Sequence, residues 1–157
     1  MDIKTVVKEA FSVIGKEGSS NDGPGFVQRL WADANAHYSE IASLAKTDDR
    51  GNLAGFWGLM SDHTRCFHPW ADNFSTGLYL AGVEVPDNAA APEGWMKWTA
   101  PASEYLCAKI DGNPAAGFSA VLTYMQERDI HLVGAVYDYN SPGENGQLYM
   151  YFPIKRL

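Results

Sequence analysis

Cysteine is scarce: Cys66 and Cys107 are the only two in 157 residues. Two thiols cannot build a disulfide framework, and they fit reduced groups in a cytosolic chain. Long apolar runs are missing too. No window approaches the roughly 18 consecutive apolar residues that a membrane-spanning helix needs. The opening MDIKTVVKEAF has no apolar stretch of the secretory kind, so the expected location is the cytoplasm. Positive charge is also short. Twelve Lys and Arg face 19 Asp and Glu, giving a net charge of −7. With no basic run there is no surface to neutralise phosphates, so a direct nucleic-acid partner is not expected. The negative balance suits cationic ligands and also plain solubility. No phosphate loop is present, because Gly51–Gly58 lacks a Lys-Ser/Thr ending and opens no helix. No cofactor is implied.

What the chain does have is aromatic residues, at 13%, including five Trp and eight Tyr. Such rings supply large buried area, and they also build walls for flat ligands. Gly and Pro punctuate a repeating order of elements. Ala10–Lys16 reads as a strand and Gly18–Gly25 as a turn. A helix is expected from about Gly25 to Leu44, with Phe26, Leu30, Ala34, Tyr38, Ile41 and Leu44 on one face. Leu53–Met60 and Thr76–Val85 read as strands around a long insertion, Asp62–Ser75. After a linker at Pro86–Pro101, Glu104–Ile110 reads as a strand. Asn113 and Pro114 then cap a helix with Phe118, Val121, Leu122 and Met125 on its stripe. His131–Asn140 and Gln147–Ile154 form a closing hairpin around Ser141–Gly146.

The halves answer each other in residues as well as in order. Pro24-Gly25-Phe26 corresponds to Pro114–Phe118, and Gly77-Leu78-Tyr79-Leu80 to Gln147-Leu148-Tyr149-Met150. The expected fold is one α+β domain over 1–157, with two pseudo-symmetric βαββ units at about 10–85 and 103–155. Their strands join into one curved antiparallel sheet. Both helices cover one face, and a ligand pocket lies on the other, along the seam.

Three further stretches resemble a known family, the GyrI-like or AraC-type effector-binding small-molecule domain. They are Tyr79–Val85, then Pro92-Glu93-Gly94-Trp95, then Pro101–Tyr105; the ending Leu148–Lys155 adds a fourth. The resemblance implies an aromatic-lined pocket for hydrophobic, often cationic, compounds. Some members are fused to DNA-binding helices, for which this chain has no room. Stand-alone members include enzymes similar to hydrolases that open strained cyclopropane rings in DNA-alkylating natural products, and others act as topoisomerase antagonists. Many members carry a buried Glu two residues before a Tyr in the penultimate strand. Here Tyr137 stands in that place, in Tyr137-Asp138-Tyr139, so a pocket acid has to come from elsewhere.

The candidate ligand-binding residues are Trp57, Trp70, Tyr79, Trp95, Trp98, Tyr139 and Tyr151. Trp57 alternates with Phe56 and so faces the other side of the sheet. Trp31 is assigned to the core. The candidate catalytic groups are Glu84, Glu104, Tyr105 and Tyr137. A carboxylate among rings is fitted either for acid–base work or for pairing with a cation held against the ring faces. Neighbouring strand residues face opposite ways, so Glu104 and Tyr105 reach one ligand only across a bulge. Glu84 with Tyr105 or Tyr137 is the preferred pairing. His63, Cys66 and His68, beside Asp62 and Asp72, are the densest ligand-type cluster. Their spacing is not a usual zinc pattern, so no metal is assigned. Cys107, in mid-strand, reads as a small buried hydrophobe. The expected activity is hydrolysis of a strained aromatic electrophile. The alternatives are a non-catalytic module that sequesters or senses drugs, and a protein-partner inhibitor.

Overall fold

The computed structural model describes residues 1–157. In chain order it contains β1 (Ile3–Lys8), β2 (Phe11–Ser19), α1 (Phe26–Ala36), β3 (Phe56–Ser61), α2 (Ala71–Phe74) and β4 (Leu78–Val85). Then come β5 (Met96–Ala100), β6 (Ser103–Lys109), α3 (Pro114–Glu127), β7 (Tyr137–Ser141) and β8 (Gln147–Arg156). The strands form one eight-stranded sheet in the order β1-β6-β8-β7-β3-β4-β2-β5, with every neighbour antiparallel. This is the expected α+β architecture. The units are β2-α1-β3-β4 and β6-α3-β7-β8, and they meet where β3 pairs with β7. That seam is short: Phe56, Trp57 and Gly58 lie opposite Asn140, Tyr139 and Asp138.

Two strands lie outside the expected units. β5 occupies what the sequence reading treats as linker. Its alternation buries Trp98 and Ala100 and leaves Thr99 between them exposed, which is an edge-strand pattern against β2. β1 carries Lys4 and Lys8, residues that suit an exposed sheet edge. Each added strand precedes one unit in sequence and pads the edge of the other.

The long helix expected to Leu44 is also corrected. α1 ends at Ala36, where the His37 imidazole turns back to the Asp33 carbonyl and carboxylate. Tyr38, Ile41 and Leu44 then continue inward on 3-10 turns, and their three-residue spacing matches that tighter helix. The strand expected from His131 begins only at Tyr137. Before it, Val133 and Ala135 donate their N–H groups to Pro153 and Phe67 rather than to a ladder.

α1 and α3 cover one face. Under α3, Val121 and Met125 pack near Leu106, Met150 and Phe152. Under α1, Ala34 and Ile41 pack with Ile14, Val83 and Trp95. Full burial of a side chain such as Phe152 contributes about 1.5–3 kcal/mol. No helix is long and apolar enough to cross a membrane.

Candidate functional site

The face opposite the helices is lined with aromatic rings. Cross-strand register sets Trp57 (β3) opposite Tyr139 (β7), and strand alternation puts Tyr151 (β8), diagonal to Tyr139, on the same face, with Tyr105 (β6) and Phe11 (β2) beside them. The Trp57 ring lies 4.7 Å from Phe11, 4.7 Å from Tyr139 and 5.0 Å from Tyr151. Tyr105 is 5.4 Å from Tyr151 and 6.0 Å from Tyr137. These tilted and edge-on arrangements suit ring quadrupoles. Burial pushes the Tyr105 phenol up to about 12 and those of Tyr137, Tyr139 and Tyr151 upward as well. All four are therefore neutral hydrogen-bond donors near neutral pH.

A carboxylate stands at the Trp57 end of this wall. Glu84 is buried, and its Oε1 accepts the Trp57 indole N–H at 2.9 Å. Lys46 stands 3.7 Å from its Oε2, and Lys8 stands 3.5 Å from its Oε1. The Lys8 ammonium also lies over two rings, 4.4 Å from the Phe11 centroid and 5.5 Å from that of Trp57. An ammonium held by ring faces and a buried carboxylate is a cation site, filled here by the protein's own side chain.

The insertion after β3 covers part of this wall. Phe67 is buried, edge-on to Trp98 at 5.8 Å and to Tyr137 at 6.3 Å. Its carbonyl accepts from Ala135 N–H at 2.8 Å and from the Arg156 guanidinium at 3.1 Å. Arg65 grips Glu17 through two hydrogen bonds of 2.8 and 2.6 Å, and Glu17 also accepts from Trp98 Nε1. Phe67 has φ = 59° and Arg65 φ = 59°, a left-handed backbone that costs about 1–2 kcal/mol per L-residue. The loop is held down by specific contacts against its local preference.

The His63/Cys66/His68 stretch belongs to this loop, and Asp62 organises it. Its carboxylate accepts from the N–H groups of Cys66 and His68 and from the hydroxyls of Ser61 and Thr64. Partial burial opposes ionisation there, but those hydrogen bonds win and hold Asp62 down at about 2. His63 turns away to Ser19 Oγ, 2.9 Å distant. Burial pushes the Cys107 thiol up, away from the nucleophilic thiolate.

The sequence-derived candidates therefore separate. Glu84, Trp57, Trp98, Tyr105, Tyr137, Tyr139 and Tyr151 share the aromatic face. Trp70, Tyr79 and Trp95 do not. Trp70 stacks near Phe26 and donates to the Leu78 carbonyl, while Trp95 donates to Glu40 and takes Lys16 over its ring at 4.1 Å. Tyr79 lies beneath α1, accepting from Trp31 Nε1 at 3.1 Å and donating to Asp138 Oδ2 at 3.1 Å. Gly58 makes that contact possible, since a Cβ there would fall 1.8 Å from the Tyr79 hydroxyl. Glu104 lies opposite Val7 in the row of Leu106, turned from the aromatic wall; the ladder with β8 does shift register between Glu104 and Tyr105. Sequence reasoning missed Lys8, Phe11, Phe67 and Asp138. Alternation alone could have found Asp138: with Tyr137 and Tyr139 on one face, it is an acid turned under the helices.

No protein-family profile and no curated protein matches the sequence. Solved structures do. SAV2435 bound to tetraphenylphosphonium superposes with a TM-score of 0.65 at 19% identity, over 99% of this chain and 94% of that one. The C-terminal domain of EcmrR gives 0.64 at 10% identity, over 99% and 98%. A hydrolase from Listeria innocua gives 0.56 at 10% identity, over 98% and 92%. Eight antiparallel strands, six of them in two βαββ halves, helices on one face and rings on the other: the chain has the GyrI-like, effector-binding fold.

Proposed function

We propose that the chain binds lipophilic, aryl-bearing cations on its aromatic face, as a capture or sensing module. The observation that carries this reading is Lys8. Its ammonium rests on the Phe11 and Trp57 rings beside the buried Glu84 carboxylate, so the wall already accommodates a positive charge. A ligand cation takes that place once Lys8 swings to solvent and the Phe67 loop lifts. The tetraphenylphosphonium complex of SAV2435, which has the same fold, supports this ligand class. Ring-opening hydrolysis needs a carboxylate free to take a proton from water. Both Glu84 oxygens are engaged, by Trp57 and Lys8 on one side and Lys46 on the other, and Glu104 faces away. Capture therefore fits the geometry better than turnover.

Tetraphenylphosphonium titrated against Trp fluorescence tests the reading, with neutral triphenylphosphine oxide as the control. The expected result is saturable quenching by the cation, at least about tenfold tighter than by the oxide, since a desolvated cation–π contact and a charge partner together exceed 1.4 kcal/mol. Glu84→Gln should cut that preference severalfold, leaving the part that the ring faces supply. Equal affinity for cation and oxide, or no saturable change, overturns the proposal. Mass detection of a water adduct on a cyclopropane-bearing aromatic electrophile would restore the hydrolytic reading.

A further inference from the structure

A separate cavity of about 220 Å³ opens on the helix side of the sheet, under the start of α3 and the Pro69–Phe74 stretch. Its walls include Met60, Trp70, Phe74, Phe118 and Met150. It shares no residue with the aromatic wall around Glu84. A cavity of roughly 150 Å³ with apolar walls takes one benzene ring, so this chamber has room for a ring and a short chain.

One lining side chain can meet a polar ligand group, and that is Asp138. Trp70 spends its indole N–H on the Leu78 carbonyl. At the start of α3, Pro114 has no N–H, and those of Ala116 and Gly117 are taken by Asn113. Asp138 itself is half satisfied. Oδ2 accepts from Tyr79, whereas Oδ1 is shielded from solvent and has no hydrogen-bond partner. Such groups are rare, because an unpaired buried acceptor costs its full desolvation penalty. No Lys, Arg or His lines the chamber to neutralise it. A water would need several polar partners, which these walls do not supply.

We propose that this cavity is a second ligand site, built for a small aralkylamine: one aromatic ring among Phe74, Phe118, Trp70 and the two methionines, and an ammonium on Asp138 Oδ1. The apolar walls provide affinity. The single carboxylate fixes orientation and selects a cationic donor, the usual division of labour in small-molecule sites. This inference does not rest on the aromatic-face reading and stands or falls separately.

The chain has five methionines, and two of them line the cavity, so methyl-13C methionine labelling of the full chain reads the site directly. With 2-phenylethylamine as probe, the Met60 and Met150 methyl signals should shift saturably, while those of Met96 and Met125 stay in place. The neutral 2-phenylethanol should bind at least about tenfold more weakly, the contribution of one charge-assisted hydrogen bond. Asp138→Asn should lose that preference. Ala115 lies at the cavity mouth and is exposed, so Ala115→Leu fills the chamber without touching the core and should abolish the shifts with the Asp138 carboxylate still in place. The proposal is overturned if amine and alcohol bind alike, if Ala115→Leu binds normally, if Met60 and Met150 do not respond at millimolar amine, or if only Met96 responds.

Discussion

Replacing Lys8 by Met should make the protein a better receptor and a less stable fold. In the free protein the ammonium is the incumbent of the cation site, 4.4 Å from the Phe11 centroid, 5.5 Å from that of Trp57 and 3.5 Å from Glu84 Oε1. Its side chain is 28% exposed, so the ring contacts and the ion pair are discounted for solvent. Together they are worth about 1–2 kcal/mol. A ligand cation must displace that interaction before making its own. Removing it should tighten tetraphenylphosphonium binding by about five- to thirtyfold, at 1.4 kcal/mol per decade. Methionine preserves the apolar stem and its packing over the rings. Glu84 meanwhile loses one of two lysines, so urea unfolding of the free variant should shift down by about 1–2 kcal/mol, with ligand restoring more than in wild type. The assay is calorimetric titration of both proteins beside their urea midpoints. Unchanged or weaker binding by Lys8→Met would refute the view that Lys8 occupies the ligand's place.

Other outcomes follow from the same geometry. Burial raises the Asp138 carboxyl from 3.8 to about 6, against the opposing Tyr79 hydrogen bond. The folded state then binds that proton more tightly than the unfolded chain. Its stabilising effect is complete below about pH 4 and is lost as pH rises through 6, a loss of up to about 3 kcal/mol. Asp138→Asn should flatten that window and gain about 1–3 kcal/mol at pH 8 in urea melts; parallel curves for the two proteins would contradict the assignment. Gly58→Ala puts a methyl group into the Tyr79 hydroxyl and should cost about 1–3 kcal/mol by thermal melt. Arg65→Ala frees the loop from Glu17 at a cost below about 1 kcal/mol, since the Arg65 side chain is half exposed, and should speed tetraphenylphosphonium association in stopped flow.

Local pattern and internal correspondence made the fold legible where they agreed. The 25–44 stripe, the Asn113-Pro114 cap and the two βαββ halves all follow from spacing and turn chemistry. β1 and β5 escaped because each lies outside the repeating unit and pairs with a strand far off in sequence. Only Trp98 and Ala100, alternating with Lys97 and Thr99, hinted at β5. Tyr38, Ile41 and Leu44 fit either helix type, and the choice fell to the Asp33–His37 contact. At the site, alternation correctly set Trp57 against Phe56. It could not place Trp70 and Trp95, which a loop and a linker carry, whereas Tyr79 stands five residues before Glu84 in β4 and so on the opposite face. Lys8 was invisible for a different reason: a lysine on an edge strand reads as a solvated charge until the fold brings Phe11, Trp57 and Glu84 beneath it.

Intermolecular NOEs from the phenyl protons of bound tetraphenylphosphonium to the labelled protein locate the ligand on one face of the sheet or the other. The expected contacts are to the rings of Phe11, Trp57, Tyr139 and Tyr151, together with loss of the Lys8 ε-methylene contacts to Phe11 and Trp57. Contacts confined to Met60, Phe118 and Met150, or a bound state in which Lys8 keeps its place over the rings, would contradict binding at the cation site of the aromatic face.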